Sequence, residues 1–158
     1  MTTRRQAIRS LFAAAAAAVA GPMALRAVEA TGAAKTKMTV YKSPTCGCCK
    51  AWVEHARGAG FDVTAIDVQD VAPTKRKLGV PADLGSCHTG LVEGYAIEGH
   101  VPADLIQKLL REKPAGIRGL AVPGMPAGSP GMEVPGMKDA YDVIAFTAKG
   151  GRRVYAKR

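Results

Sequence analysis

The amino-acid sequence predicts an α/β domain in which helices flank a mixed β-sheet, followed by an extension rich in methionine, proline and glycine. Between residues 36 and 113, segments with strand-like composition alternate with segments of helical periodicity. Residues 114–138 are rich in glycine and proline and have no periodic pattern, so residues 114–158 are expected to form an arm and a C-terminal hairpin. The 158 residues are 47% hydrophobic, which suffices for one domain with a buried core and excludes a disordered chain.

Residues 1–30 are predicted to be an export signal peptide rather than part of this domain. A basic start precedes an apolar run over residues 11–20, and small residues with a plausible cleavage site follow. The adjacent Arg4 and Arg5 resemble a twin-arginine signal, while an ordinary secretion signal remains open. The apolar run is about half of the ~20 residues that span a bilayer, so no stable membrane anchor is expected.

The net charge of +9 falls to +6 without the signal peptide, which holds four arginines and one glutamate. The remaining basic residues are interspersed with acidic ones, and their longest run is only 75–77. A nucleic-acid-binding surface needs a clustered basic face. No nucleic-acid partner is therefore expected.

The first half of the domain is predicted to alternate strand, helix, strand and helix. Residues 37–42 have the β-branched and aromatic composition of a strand. Residues 48–59 place apolar side chains at helical spacing, and glycines end the segment. Residues 61–68 alternate as a strand does, and residues 71–78 are expected to form a short helix.

The second half adds short strands, one helix and a hairpin. Residues 89–97 predict one or two short strands, and Pro102 is expected to be the first residue of a helix that ends near Arg111. Residues 141–147 and 153–156 predict two strands around a pair of glycines, which is typical of a hairpin.

Cys46, Cys48 and Cys49 lie between a predicted strand and a predicted helix. Backbone N–H groups at a helix start stabilise thiolates, so cysteine pKa values fall there. Cys46 and Cys49 have the C-x-x-C spacing of thioredoxin-like redox sites. Cys48 is an extra thiol that a simple dithiol exchanger does not need, and three thiolates within four residues favour a soft metal ion. The alternative is that these cysteines only fill the core. Three cysteines around the turn residue Gly47 are an unusual way to fill a core, so this alternative is disfavoured.

Cys87 is the fourth cysteine, and it is expected either to complete a four-thiolate site or to resolve a disulfide. His88 and His100 are candidate nitrogen ligands, although a histidine near a helix start is often only hydrogen-bonded. His55 lies six residues after Cys49 and is expected at the surface.

The triplet Pro-Gly-Met occurs three times in the arm and ends at Met125, Met132 and Met137. Pro-Gly favours a turn that presents the following side chain. The thioether is a soft ligand suited to Cu(I), whereas filling gaps under a loop is the commoner use of methionine. Because the Pro-Gly-Met triplet is repeated in a chain that also has a cysteine cluster, Met125 and Met132 are predicted to be metal ligands. Whether Met137 binds metal stays open.

These residues belong to ordered motifs that resemble those of the CopG-type copper-resistance family, whose members are often described only as metal-binding proteins of unknown function. The resemblance covers roughly residues 38–147. The motifs are Cys46-Gly47-Cys48-Cys49-Lys50-x-Trp52, Gly79-Val80-Pro81, Ser86-Cys87-His88-Thr89, Gly94-Tyr95, Ile97-Glu98-Gly99-His100-Val101-Pro102 and Gly124-Met125-Pro126-x-Gly128-Ser129-Pro130-Gly131-Met132.

The resemblance implies a thioredoxin-like fold with a C-terminal extension that helps to bind metal, and copper handling in the periplasm of Gram-negative bacteria. It implies copper ions bridged by cysteine sulfurs and an interconversion of Cu(I) and Cu(II). The motif does not settle whether His88 or His100 binds copper. Carried over residue by residue, the implied copper ligands are Cys46, Cys48, Cys49, Cys87, Met125 and Met132.

The combined prediction is a periplasmic copper-binding protein of copper resistance, with copper ions as cargo and a copper exporter or electron-transfer protein as partner. Whether it is a copper oxidoreductase stays open. One alternative is a periplasmic thiol-disulfide oxidoreductase that uses Cys46 and Cys49. Another is a passive metallochaperone, whereas a structural zinc site lacks the usual two separated cysteine knuckles.

Overall fold

The computed structural model describes residues 34–158, which form a seven-stranded mixed sheet with three α-helices and a short 3-10 helix. The mixed α/β class predicted from the sequence is confirmed, while the likeness to thioredoxin stays a prediction. The predicted signal peptide lies outside the described residues. Among the described helices, none has the length and apolarity to cross a membrane.

The elements occur along the chain in nearly the predicted order. Their bounds are β1 (Lys37–Lys42), α1 (Gly47–Gly58), β2 (Asp62–Asp67), α2 (Ala72–Leu78), the 3-10 helix (Ala82–Leu84), β3 (His88–Val92), β4 (Tyr95–Glu98), α3 (Ala103–Glu112), β5 (Ile117–Ala121), β6 (Asp142–Thr147) and β7 (Arg152–Lys157). Pro102 lies at the N-cap of α3, one position before the helix that it was predicted to begin. The predicted C-terminal hairpin is confirmed, since β6 and β7 pair antiparallel.

The strands lie side by side in the order β2-β1-β3-β4-β5-β6-β7. Two neighbouring pairs are parallel, β1 with β2 and β4 with β5, and the other neighbours are antiparallel. Each parallel pair is joined through a helix, α1 for the first and α3 for the second. This follows from geometry, because parallel strands need a long crossover between them.

Helices cover both faces of the sheet. Side chains of α1 and α3 pack with Ile97 and Leu120 in the larger core cluster. Ala96 and Ala121, the neighbours of those residues along their strands, point into a smaller cluster with Leu78 of α2. Successive strand residues face opposite sides of a sheet, so this alternation divides the molecule into three layers.

The prediction of an arm without regular structure was wrong for residues 117–121, which form β5. This strand lies inside the sheet between β4 and β6. At Gly119, an added Cβ would lie 2.0 Å from the carbonyl oxygen of Ala96 and 2.7 Å from the Phe146 ring. Glycine weakens the strand signal in the sequence, yet here only glycine allows the backbones to approach. The strands after residue 113 therefore continue the same sheet.

Candidate metal centre

Cys46 and Cys49 are positioned by the start of α1. Cys46 is the N-cap of the helix, and its Sγ accepts a hydrogen bond from the backbone N–H of Cys49 at 3.3 Å. Cys46 and Cys49 are joined by a disulfide, and Cys49 is buried. The C-x-x-C pair predicted from spacing is thus close enough to bond at the N-terminal end of a helix.

Cys48 and Cys87 complete a cluster of four sulfur atoms. The Sγ of Cys48 lies 3.4 Å from that of Cys46 and 3.9 Å from that of Cys87. Cys87 comes from the segment just before β3, 39 residues further along the chain than Cys48. The ligand atoms of the four cysteines all lie within 4.8 Å of one another, so the structure brings together every cysteine of the chain.

His100 is oriented toward Cys87 by a backbone carbonyl. Its Nδ1 lies 2.8 Å from the carbonyl oxygen of Pro130, and its Nε2 lies 3.0 Å from the Sγ of Cys87. A carbonyl oxygen only accepts, so Nδ1 carries the hydrogen and Nε2 keeps its lone pair. The Cys87 thiol donates to this lone pair. The same arrangement prepares Nε2 as a metal ligand, since such histidines often donate their other N–H to a carbonyl.

His88 is completely buried beside the same cysteine. Its Nδ1 lies 3.3 Å from the Sγ of Cys87, and its ring lies 4.5 Å from the Trp52 ring and 5.1 Å from the His100 ring. Among residues 34–158, the Nε2 of His88 has no hydrogen-bond partner. A buried polar atom without a partner is costly, and here it is a nitrogen available to a cation.

The ionisation states of the site suit the uptake of a cation. Burial, helped by His100 and Lys75, lowers the pKa of His88 to about 3, and burial also lowers the pKa of His100. Burial, and then the neighbouring Cys48, raises the pKa of the Cys87 thiol to about 12. Both imidazoles are therefore neutral near pH 7, as metal ligands must be, and a metal ion bound by Cys87 displaces its proton.

Glu98 stands in one of the sequence motifs but was not predicted to take part in the site. Its buried carboxylate accepts hydrogen bonds from the backbone N–H of Ser86 at 2.6 Å and the hydroxyl of Thr89 at 2.7 Å, and it pairs with Lys75. Ser86 and Thr89 flank the Cys87-His88 dipeptide, so one carboxylate holds both ends of that segment. The sequence signal that could have indicated Glu98 was a charged residue at the end of β4, whose preceding residues Ala96 and Ile97 are apolar.

The methionine arm approaches the cysteine loops through its backbone. A Cβ added at Gly131 would lie 2.8 Å from the carbonyl oxygen of Cys48. The carbonyl oxygen of Gly124 accepts a hydrogen bond from the Ser86 hydroxyl at 2.5 Å. Met132 and Met125 directly follow these two glycines.

The three arm methionines differ in exposure. Met132 is half-buried, whereas Met125 is 53% exposed. Met137 lies at an isolated β-bridge with Val134 and is 59% exposed. The repeats that end at Met125 and Met132 therefore lie against the segments that carry the cysteines. Met137 belongs to an outer turn.

The expectation that His55 is a surface residue was wrong. His55 is half-buried, and its Nε2 accepts a hydrogen bond from the backbone N–H of Ala103 at 3.2 Å. That N–H begins α3, where the first amide groups have no partner within the helix. His55 therefore joins α1 to the start of α3 rather than taking part in the metal centre.

Comparison with known proteins assigns the chain to a family. A family model described as "Protein of unknown function, DUF411" matches residues 84–132, which contain Cys87, His88 and His100. No curated protein matches the chain. Two solved structures, named copper resistance protein copG form 1 and form 2, are each 45% identical to this chain with a TM-score of 0.74. In both, the similarity covers 78% of this chain and 98% of the solved one. The chain belongs to the CopG family of copper resistance proteins.

Proposed function

We propose that the protein is an exported copper-binding protein of copper resistance that holds copper ions in its cysteine cluster. The observation that carries the proposal is the convergence on Cys87, whose Sγ belongs both to the four-cysteine group and to a group with His88 and His100. Nearby sulfur atoms from separate parts of the chain provide a soft donor set. Such a set favours Cu(I) over the hard cations.

The two imidazoles extend the range of copper oxidation states that the site accepts. Cysteine sulfur stabilises Cu(I), while imidazole nitrogen serves Cu(II) as well. His88 has its Nδ1 3.3 Å from the Sγ of Cys87 and an Nε2 without a partner among the described residues. The Pro130 carbonyl holds the His100 ring so that its Nε2 faces Cys87. Because Cys87 is shared by both groups, its thiolate can bridge two copper ions, and more than one copper is expected per chain.

The Cys46–Cys49 pair supplies electrons for an interconversion of Cu(II) and Cu(I). In the reduced protein, oxidation of the two thiols forms the Sγ–Sγ bond and releases two protons and two electrons. Two Cu(II) ions accept the electrons and become two Cu(I) ions. The disulfide at the N-terminus of α1 supports this step, because it is its oxidised product.

The arm is proposed to close over the bound copper through Met125 and Met132. Its backbone passes against α1 at Gly131 and against the loop before Cys87 at Gly124. Thioether ligands retain Cu(I) without adding negative charge. A half-buried Met132 is better placed to reach copper than the exposed Met137.

Residues 1–30 are proposed to direct the chain to the periplasm, where a copper exporter or an electron-transfer protein would be its partner. The basic start and the apolar run support export. Fractionation of cells that express the full chain tests this. Mature protein in the periplasmic fraction is expected, and full-length protein in the cytoplasm would contradict export.

A thiol-disulfide oxidoreductase remains the second candidate, because the disulfide lies at a helix N-terminus with Cys46 as the N-cap. This position is the one in which thiolates become reactive. The candidate predicts disulfide exchange without copper and no effect from the loss of Met125 or Met132. A passive metallochaperone would instead bind copper with no change of oxidation state.

Anaerobic copper titration of the reduced mature chain tests the proposal. More than one tightly bound copper per chain is expected, with absorption spectra that change reversibly on mild oxidation. The ring of Trp52, the one tryptophan of the chain, lies 4.5 Å from that of His88, so its fluorescence should change as copper binds. Cys48→Ser should lower the stoichiometry or affinity, with Ser43→Ala as a control nearby. Disulfide exchange without tight copper would favour the oxidoreductase.

A further inference from the structure

We propose that Cys48 and Cys87 form a second dithiol–disulfide pair, so that the reduced site stores four electrons rather than two. This inference rests on the proposed function, in which copper ions exchange electrons with cysteine. It differs from that function in assigning a redox partner to each of the two cysteines outside the C-x-x-C pair.

The pairing follows from which sulfur atoms remain once Cys46 and Cys49 are joined. The chain has four cysteines, and the two outside the disulfide are both free and half-buried. Their Sγ atoms lie 3.9 Å apart, which is near van der Waals contact. A disulfide needs about 2.05 Å between its sulfurs, so the two must approach by about 2 Å. A change of side-chain rotamer moves a sulfur by a comparable distance.

Cys87 also has a proton acceptor in position. The Nε2 of His100 lies 3.0 Å from its Sγ, and the Pro130 carbonyl holds the other ring nitrogen at 2.8 Å. His100 is therefore positioned to accept the proton that Cys87 releases when its sulfur is oxidised.

The reaction balances with Cu(II) as the oxidant. The thiols of Cys48 and Cys87 lose their two S–H bonds and gain one Sγ–Sγ bond, releasing two protons and two electrons. The proton of Cys87 passes to the Nε2 of His100, and the proton of Cys48 passes to solvent. Two Cu(II) ions each accept one electron and become Cu(I). Together with the first pair, four Cu(II) ions are reduced by one fully reduced chain.

Electron counting tests the second pair. The reduced mature protein is mixed anaerobically with excess Cu(II) in the presence of a chelator that reports Cu(I). Four Cu(I) per chain and no alkylatable thiols are expected from the wild type. Cys46→Ser/Cys49→Ser and Cys48→Ser/Cys87→Ser are matched double variants, and each should yield two Cu(I). Non-reducing electrophoresis confirms that the disulfides lie within one chain.

Peptide mapping and a copper-free oxidant separate this inference from the proposed function. In Cys46→Ser/Cys49→Ser, diamide should link the tryptic peptide of Cys48 to that of Cys87. Two Cu(I) from the wild type with Cys48 and Cys87 still alkylatable would overturn the second pair and leave the copper function intact. No Cu(I) with a diamide link present would uphold the pair as a disulfide and overturn copper as its oxidant. An absent diamide link would overturn it outright.

Discussion

Lys75 and Glu98 form an ion pair whose carboxylate is completely buried, while the lysine side chain is 18% exposed. The pair lies beneath the segment that carries Cys87 and His88, because Glu98 also binds the residues on either side of it. Burial raises the pKa of Glu98, and Lys75 opposes this shift. The buried charge of Glu98 thus holds in place the segment that carries Cys87 and His88.

Replacing Lys75 should reveal how much free energy is needed to bury the Glu98 carboxylate without a counter-ion. Lys75→Met leaves the Glu98 carboxylate without its counter-ion, and breaking a buried pair costs about 3 kcal/mol or more. Urea denaturation should show a loss of this size in the free energy of unfolding. Lys77→Met, an exposed lysine two residues along α2, is the matched control and should change stability little. Similar effects for the two variants would contradict a structural role for the pair.

The close approach of the arm to α1 should make Gly131 intolerant of a side chain. Gly131 has φ +82°, and its added Cβ would lie 2.8 Å from both the Cys48 carbonyl oxygen and the Trp52 backbone nitrogen. Gly136 has φ +76° with nothing within 4 Å, so Gly136→Ala is a control for backbone strain alone. Gly131→Ala should be less stable than this control by about 2 kcal/mol. It should also bind copper more weakly, measured by competition with a chelator, and equal behaviour would show that the arm moves freely.

Loss of an arm thioether should weaken Cu(I) binding selectively. Met132→Leu and Met125→Leu preserve side-chain volume but remove the sulfur, so the fold is expected to survive. The Kd for Cu(I) should rise about tenfold, equivalent to about 1.4 kcal/mol. Met137→Leu, in the exposed outer turn, should leave the Kd unchanged. If all three variants bind Cu(I) as the wild type does, the arm is a loop and not a ligand source.

The metal-free protein should lose stability as the solution becomes acidic, partly through His55. Burial lowers the pKa of His55 below its ordinary value of 6.5, against the opposing carboxylates of Glu133 and Asp104. Below about pH 6.5 the unfolded chain therefore binds a proton that the folded chain does not, so the free energy of unfolding decreases as the pH is lowered. His88, with its pKa lowered to about 3, acts in the same direction.

His55→Gln isolates the contribution of that histidine, because an amide oxygen can still accept from the backbone N–H of Ala103. Thermal denaturation of the metal-free variant should show a shallower decline of Tm between about pH 7 and pH 5 than in the wild type. A remaining decline is expected from His88. Coincident slopes for the two proteins would show that His55 is protonated equally in both states.

The alternation of strands and helices and the grouping of Cys46, Cys48 and Cys49 could be predicted from the amino-acid sequence, because periodicity and short-range spacing are local properties. The sequence also identified the candidate ligands that lie far from this group. It could not recognise β5, since Gly119 weakens the local strand signal and its reason is a tight contact with a neighbouring strand.

The contacts between residues far apart in the sequence depend on the tertiary fold. Cys87 reaches Cys48 because the chain returns through β3 beside β1, and His100 faces Cys87 because Pro130 of the arm accepts from its other nitrogen. Such contacts join residues far apart in sequence and depend on sheet order and loop paths, which no local pattern encodes. The role of Glu98 emerged in the same way, because a buried carboxylate can be interpreted only once its partners are known.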